Sequence, residues 1–152
     1  MKYSIIGNQI NECLKHFKFN KKLLDYLKKP NKIIELNFPY KNKILKGYRV
    51  QHNNILGPYK GGLRFSELIY LDEVKSLSMW MTIKNSLQGL PYGGAKGGVK
   101  INPNNYSKGE LERISRTFCK YMKKYIGPNK DIPAPDMGTN SQIMDWMSDT
   151  YQ

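Results

Sequence analysis

Residues 90–103 read LPYGGAKGGVKINP, which sets Lys96 between two pairs of glycines; residues 57–65 read GPYKGGLRF, where Gly61 and Gly62 follow Lys60. Glycines let main chain and ligand approach closely. A lysine walled in this way loses the water around its ammonium, and desolvation disfavours the charged form. Lys60 and Lys84, if close, would press in the same direction. An amine brought toward neutrality can take up and return a proton, which arginine cannot do. The plain alternative is that Gly93, Gly94, Gly97 and Gly98 only permit turns between a helix ending near Leu87 and a strand at Val99. The recurrence of lysine among glycines in two separate stretches weighs against it.

Glycine beside lysine also raises the prospect of a phosphate cradle. A P-loop needs GxxxxGK[ST], and no Gly-Lys-Ser/Thr occurs; a dinucleotide turn needs GxGxxG, and the sequence holds no GxG. Neither fingerprint is present. The two cysteines, Cys13 and Cys119, match no zinc or CxxC spacing. A reduced, cytoplasmic setting without a metal is the expectation.

The elements that must position the lysines follow from periodicity. Ile6, Ile10, Cys13, Leu14 and Phe17 recur at helical spacing, and Leu23, Leu24 and Leu27 mark a second short helix before Pro30, so residues 1–30 form a helical segment. Ile34, Leu36, Phe38 and Tyr40 alternate, as do Ile44, Lys46, Tyr48, Val50 and His52 after a turn at 41–43, the pattern of a β-hairpin. Residues 57–65 read as a loop. Leu71, Val74, Leu77 and Met81 mark one face of a helix to about Leu87, and residues 99–101 are a strand candidate. Ser107 and Glu110 form a capping box ahead of Leu111, Ile114, Phe118, Tyr121 and Tyr125, and Gly127-Pro128 ends that helix. DIPAPD (131–136) is an extended, proline-stiffened segment, and a last helix begins near Asn140 with Ile143, Trp146 and Met147 inward. The order ααββαβα predicts an α/β fold, a mixed sheet flanked by helices.

The stretches GPYKGGLRF, LPYGGAKGGVKINP and DIPAPDMGTN, in this order and spacing, resemble the glutamate dehydrogenase signatures of the Glu/Leu/Phe/Val dehydrogenase family, from about Ile33 onward. The resemblance implies an N-terminal substrate-binding and oligomerisation domain over residues 31–152, with the Rossmann domain for the cofactor absent from them. By resemblance, Lys60 meets the substrate's side-chain carboxylate and Lys84 its α-carboxylate. Gly61 lends main chain to the amino group, Lys96 is the catalytic lysine, and Asp136 is the aspartate that moves protons to and from the substrate nitrogen. Some bacterial members carry glutamine one turn before the α-carboxylate lysine, where Met81 stands here; other branches share the methionine. The resemblance further implies L-glutamate and 2-oxoglutarate as substrates, NAD or NADP as a cofactor that this chain alone does not bind, and a hexamer or a partner chain carrying the cofactor domain. It implies an oxidoreductase that is inactive as these residues alone.

The net charge of +13 raises nucleic acid or an anionic membrane as partners. The excess is mostly lysine spread from Lys2 to Lys130, without the arginine clustering that bidentate phosphate or base recognition favours, so neither is expected as a specific partner. No apolar run approaches the roughly 20 residues that span a bilayer. A non-catalytic glutamate-binding or assembly module is the rival to the enzyme reading, and a basic nucleic-acid binder a more distant one.

Overall fold

The structure, a computed structural model, describes residues 2–16 and 20–152. The helical positions Phe17 and the side chain of Leu23 lie outside the described residues. Two helices, α1 (Tyr3–Leu14) and α2 (Lys21–Leu27), precede a hairpin of β1 (Lys32–Tyr40) and β2 (Lys43–Asn53). Tyr40 pairs with Lys43 across a two-residue turn in which Lys41 takes φ 51°, the left-handed conformation such a turn demands. Then come β3 (Tyr59–Phe65), α3 (Leu71–Leu87), β4 (Gly94–Val99), a 3-10 turn, α4 (Lys108–Met122), β5 (Asp131–Pro135) and α5 (Ser141–Tyr151).

The five strands order as β1-β2-β4-β3-β5, antiparallel from β1 to β4 and parallel from β4 to β5. The fold is therefore the expected mixed sheet flanked by helices. Two expectations fail. Residues 57–65 are not a loop, because Tyr59–Phe65 is β3, and the strand near Val99 begins at Gly94 and ends before Ile101. Glycine is a poor strand former alone, but β4 lies between β2 and β3, with every residue buried. Neighbouring strands supply the ladder bonds that its side chains do not encourage.

Each face of the sheet packs its own layer. Ile34, Phe38, Leu45, Leu63, Phe65 and Val99 meet Ile114, Phe118 and Cys119 of α4 and Ile143 and Met147 of α5. The Phe38 and Phe118 rings sit 5.7 Å apart. The Ser107–Glu110 capping box forms as expected, and Asn140 caps α5. On the other face, Tyr48 and Val50 pack with Ile69 and Val74. There α3 buries Val74 of the expected face, with Leu71 packed beside it, and also Ser76, Ser78, Met79 and Asn85, while Leu77 and Met81 are only partly buried. Ser78 fits on the side that meets β4, where its carbonyl oxygen would lie 2.7 Å from a Cβ at Gly94. Ile6 of α1 is fully buried, whereas Cys13 is exposed. Among the described residues no helix is long and apolar enough to cross a membrane, and no cluster of histidine, cysteine and acidic side chains could hold a metal ion.

Candidate functional site

Lys96 stands on β4, and strand alternation puts Gly94 and Gly98 on its face of the sheet. A Cβ at Gly94 would fall 2.1 Å from Thr82 Oγ1 and one at Gly98 2.3 Å from the Arg64 carbonyl oxygen. Without those side chains α3 and β3 close over the strand, leaving Lys96 only 6% exposed. Its Nζ lies 2.9 Å from Asp136 Oδ2. On β3, a Cβ at Gly62 would sit 2.8 Å from Asp136 Cβ and 3.2 Å from Lys96 Nζ. The glycines around the lysine thus make room for its own head group and for the carboxylate that meets it.

Asp136 follows the end of β5 and is held by its turn. Its backbone N–H donates to Thr139 Oγ1, whose hydroxyl reaches the Leu63 carbonyl at 2.7 Å, and Phe65 N–H donates to the Met137 carbonyl. Burial lowers the Lys96 pKa from its ordinary value; the bond to Asp136 acts the other way, and the nearby charges of Arg64 and Arg49 add to the lowering. The cations that press on Lys96 are therefore these two arginines, where Lys60 and Lys84 were expected. Burial alone would raise the Asp136 carboxyl, but Lys96 and Arg64 together bring it below its ordinary value.

The other expected residues stand on β3 and α3. Lys60 is half-buried, with its Nζ 5.3 Å from the centre of the Tyr92 ring. A Cβ at Gly61 would lie 1.6 Å from the Ala95 carbonyl oxygen and 3.3 Å from Met81 Cγ, so the β3 main chain runs directly against β4 and Met81. Lys84 is exposed, one turn beyond Met81 on α3. Neither Lys60 nor Lys84 forms an ion pair among the described residues. The structure joins Lys96 to Asp136 and Gly61 to Met81, and leaves two lysines as cations without anions.

Four residues that sequence reading passed over support the site. Arg49 and Asp131, 1% and 0% exposed, form a two-pronged ion pair in which Arg49 Nε donates to Asp131 Oδ2 at 2.9 Å and Nη2 to Oδ1. Arg49 Nη1 donates to the carbonyls of Gly61 and Gly62 at 3.2 and 3.3 Å, and Gln51 Nε2 donates to Asp131 Oδ2 at 2.9 Å. The β3 glycines are thereby anchored from behind. Arg64 reaches Asp136 Oδ2 through Nε and Glu73 Oε1 through Nη1, both at 2.9 Å. Arg64 and Asp131 stand inside two of the stretches already quoted, so their types were on view while their partners were not. A cleft of about 250 Å³ lined by Ile126, Pro133, Met144, Met147 and Tyr151 lies between β5 and α5, and none of the lysines above lines it.

The family described as Glu/Leu/Phe/Val dehydrogenase, dimerisation domain, matches residues 30–152. The NAD-specific glutamate dehydrogenase of Clostridioides difficile is 44% identical over 98% of this chain and 37% of its own length. The catabolic NAD-specific glutamate dehydrogenase RocG of Bacillus subtilis is 45% identical over 93% of this chain and 35% of its own. Among solved structures, glutamate dehydrogenase from Peptoniphilus asaccharolyticus superposes with a TM-score of 0.93 at 40% identity, over 98% of this chain and 39% of that one. The leucine-bound form of the hetero-hexameric glutamate dehydrogenase from Thermus thermophilus gives a TM-score of 0.94 at 35% identity, over 98% and 37%. The chain spans little more than a third of the length of these relatives.

Proposed function

The chain belongs to the Glu/Leu/Phe/Val dehydrogenase family, and on that premise we propose that it is the substrate-binding and oligomerisation part of an NAD(P)-dependent glutamate dehydrogenase. The reaction would be oxidative deamination of L-glutamate to 2-oxoglutarate and ammonia. The observation that carries the proposal is the Lys96–Asp136 contact at 2.9 Å, with Lys60 and Lys84 left without anions on the neighbouring β3 and α3. A substrate with two carboxylates needs two cations. The relatives named above as NAD-specific make NAD the first cofactor to test.

These residues offer no fit for the dinucleotide itself. The sequence holds no GxG, the fingerprint of the tight glycine turn that leads into a helix N-terminus and holds the pyrophosphate. What they offer is proton handling. Once the Cα–N bond has become an iminium, a water adds to its carbon. Lys96 in its neutral form takes the proton released as the C–O bond forms. Asp136, ionised at the outset, returns to the nitrogen the proton that it took from the substrate ammonium before the iminium formed, so that ammonia leaves as the C–N bond breaks, while the hydroxyl proton passes to solvent as the carbonyl forms. Lys60 would hold the side-chain carboxylate, Lys84 the α-carboxylate, and the Gly61 main chain the amino group, with Met81 packed beside it. Oligomer contacts, by the same reading, are made by residues 31–152.

The test uses residues 1–152 joined to the cofactor-binding remainder of a relative. Lys60→Leu should lower kcat/KM for glutamate by about a hundredfold or more, since a buried charge deprived of its partner costs about 3–5 kcal/mol and each decade is about 1.4. Norvaline, similar in size without the charge, should be unaffected or improved. Equal losses for both substrates would remove the case for glutamate.

A further inference from the structure

Among the described residues Arg64 is the side chain from outside the expected constellation that meets the Asp136 carboxylate, and the way it does so is specific. Its Nε and the Nζ of Lys96 both lie 2.9 Å from the same oxygen, Oδ2. Asp136 Oδ1 accepts no hydrogen bond among the described residues. Arg64 is fixed in turn by Glu73 of α3, 2.9 Å from Nη1, with the arginine 16% and the glutamate 21% exposed. The guanidinium is a rigid fork, so holding one prong on Glu73 aims the other. We propose that Arg64 is a positioning residue that clamps Asp136 through Oδ2 and so leaves Oδ1 as the oxygen that exchanges the proton with the substrate nitrogen. This rests on the dehydrogenase reading above.

The chemistry follows from donor counts. Asp136 Oδ2 accepts the bond from Arg64 Nε and has the Lys96 ammonium against it as an ion pair, so a proton arriving there would have to displace a cation. Oδ1 takes it without displacing anything. The groups around the carboxylate come from four places: Lys96 on β4, Arg64 on β3, Glu73 on α3 acting through Arg64, and the neutral Thr139 hydroxyl in its own turn. Arg49 on β2 adds its field at Lys96. Arg64 favours the charged form of Asp136 and disfavours that of Lys96, so it lowers both. Lys96 alone could provide a counter-ion, but only the fork from Glu73 fixes which oxygen is covered.

The experiment follows the Asp136 carboxyl carbon and the Lys96 side chain through a pH titration by NMR in residues 1–152. Arg64→Gln should move the Asp136 midpoint up by about 1 unit or more, the scale on which a cation within ~4–6 Å acts on a carboxyl, and should move Lys96 up as well. A purely structural arginine would leave both midpoints in place, and that result overturns the proposal. Arg64→Lys keeps the charge but cannot bridge Asp136 and Glu73. Should the glutamine variant fail to fold, Arg64→Lys decides: in the chimeric enzyme its kcat should fall about tenfold, and a wild-type kcat overturns the proposal. Failure of the dehydrogenase reading is visible separately, as an unsubstituted chimera that does not oxidise glutamate while the titrations still report on Arg64.

Discussion

At the scale of the residue, the site is a contest over one proton. Burial lowers the Lys96 ammonium while Asp136 supports it, and burial would raise the Asp136 carboxyl while Lys96 and Arg64 hold it down. Each partner's state therefore depends on the other's, and the pair titrates as a unit. The consequence has a sign. Asp136→Asn removes the charge that favours the ammonium and leaves burial and the two arginines unopposed, so the Lys96 amine should become more nucleophilic at neutral pH. Brief labelling with pyridoxal phosphate and borohydride, read by peptide mass spectrometry, should show Lys96 modified ahead of the surface lysines in the wild type and faster still in Asp136→Asn. Slower labelling in that variant would mean that Asp136 activates the lysine instead of restraining it.

At the scale of the element, β3 and β4 show what a sequence conceals. Hydrophobic periodicity revealed the hairpin, α4 with its capping box and α5, because there the packed side chains are the signal. It missed most of β3 and β4, because their glycines were chosen for what must fit against them, which is α3, Asp136 and the Ala95 carbonyl. The expected α3 face held in part: Val74 is buried with Leu71 packed beside it, while Ser78 lies against Gly94 where periodicity marks only larger side chains. The motif residues Lys60, Lys96 and Asp136 were legible by type. Their supports were not, since Arg49–Asp131 and Arg64–Asp136 join residues 82 and 72 apart, and no local pattern encodes such pairs. Two glycine-to-alanine changes separate the two uses of glycine. Gly94→Ala puts its Cβ 2.1 Å from Thr82 Oγ1 and 2.2 Å from the Thr82 backbone nitrogen, an overpacking against main chain expected to cost about 3 kcal/mol or more. Gly109, in the first turns of α4, has nothing within 4 Å of a built Cβ, and Gly109→Ala should stabilise by about 0.5–1 kcal/mol. Denaturant midpoints that move in the same direction for both would contradict this account.

At the scale of the whole molecule, the sheet is the common floor of two layers, and His52 is where α3 is fastened to it. The ring sits on β2, 1% exposed, with Nδ1 2.8 Å from Thr82 Oγ1 of α3. Burial pushes the imidazole down to about 4, the nearby Leu27 carbonyl at the end of α2 opposing this only in part, and Nε2 is buried without a hydrogen-bond partner among the described residues. A histidine whose folded pKa is depressed binds its proton in the unfolded chain first. Stability is therefore fully present above the unfolded value of about 6.5 and is lost as pH falls toward about 4. The full difference amounts to about 3 kcal/mol at 1.36 per unit, of which about 2 kcal/mol falls between about pH 7 and about pH 5. Asp136 does not contribute there, since a carboxyl held below its ordinary value loses its share of stability only at more acid pH. Denaturant unfolding of residues 1–152 at the two pH values should show this loss in the wild type, and His52→Gln, which cannot take up a proton, should be less stable at neutral pH but nearly flat between them. If the variant kept the wild-type slope, the acid sensitivity would belong to other groups, and His52 would be a packing residue without a part in fastening the layers through its neutral form.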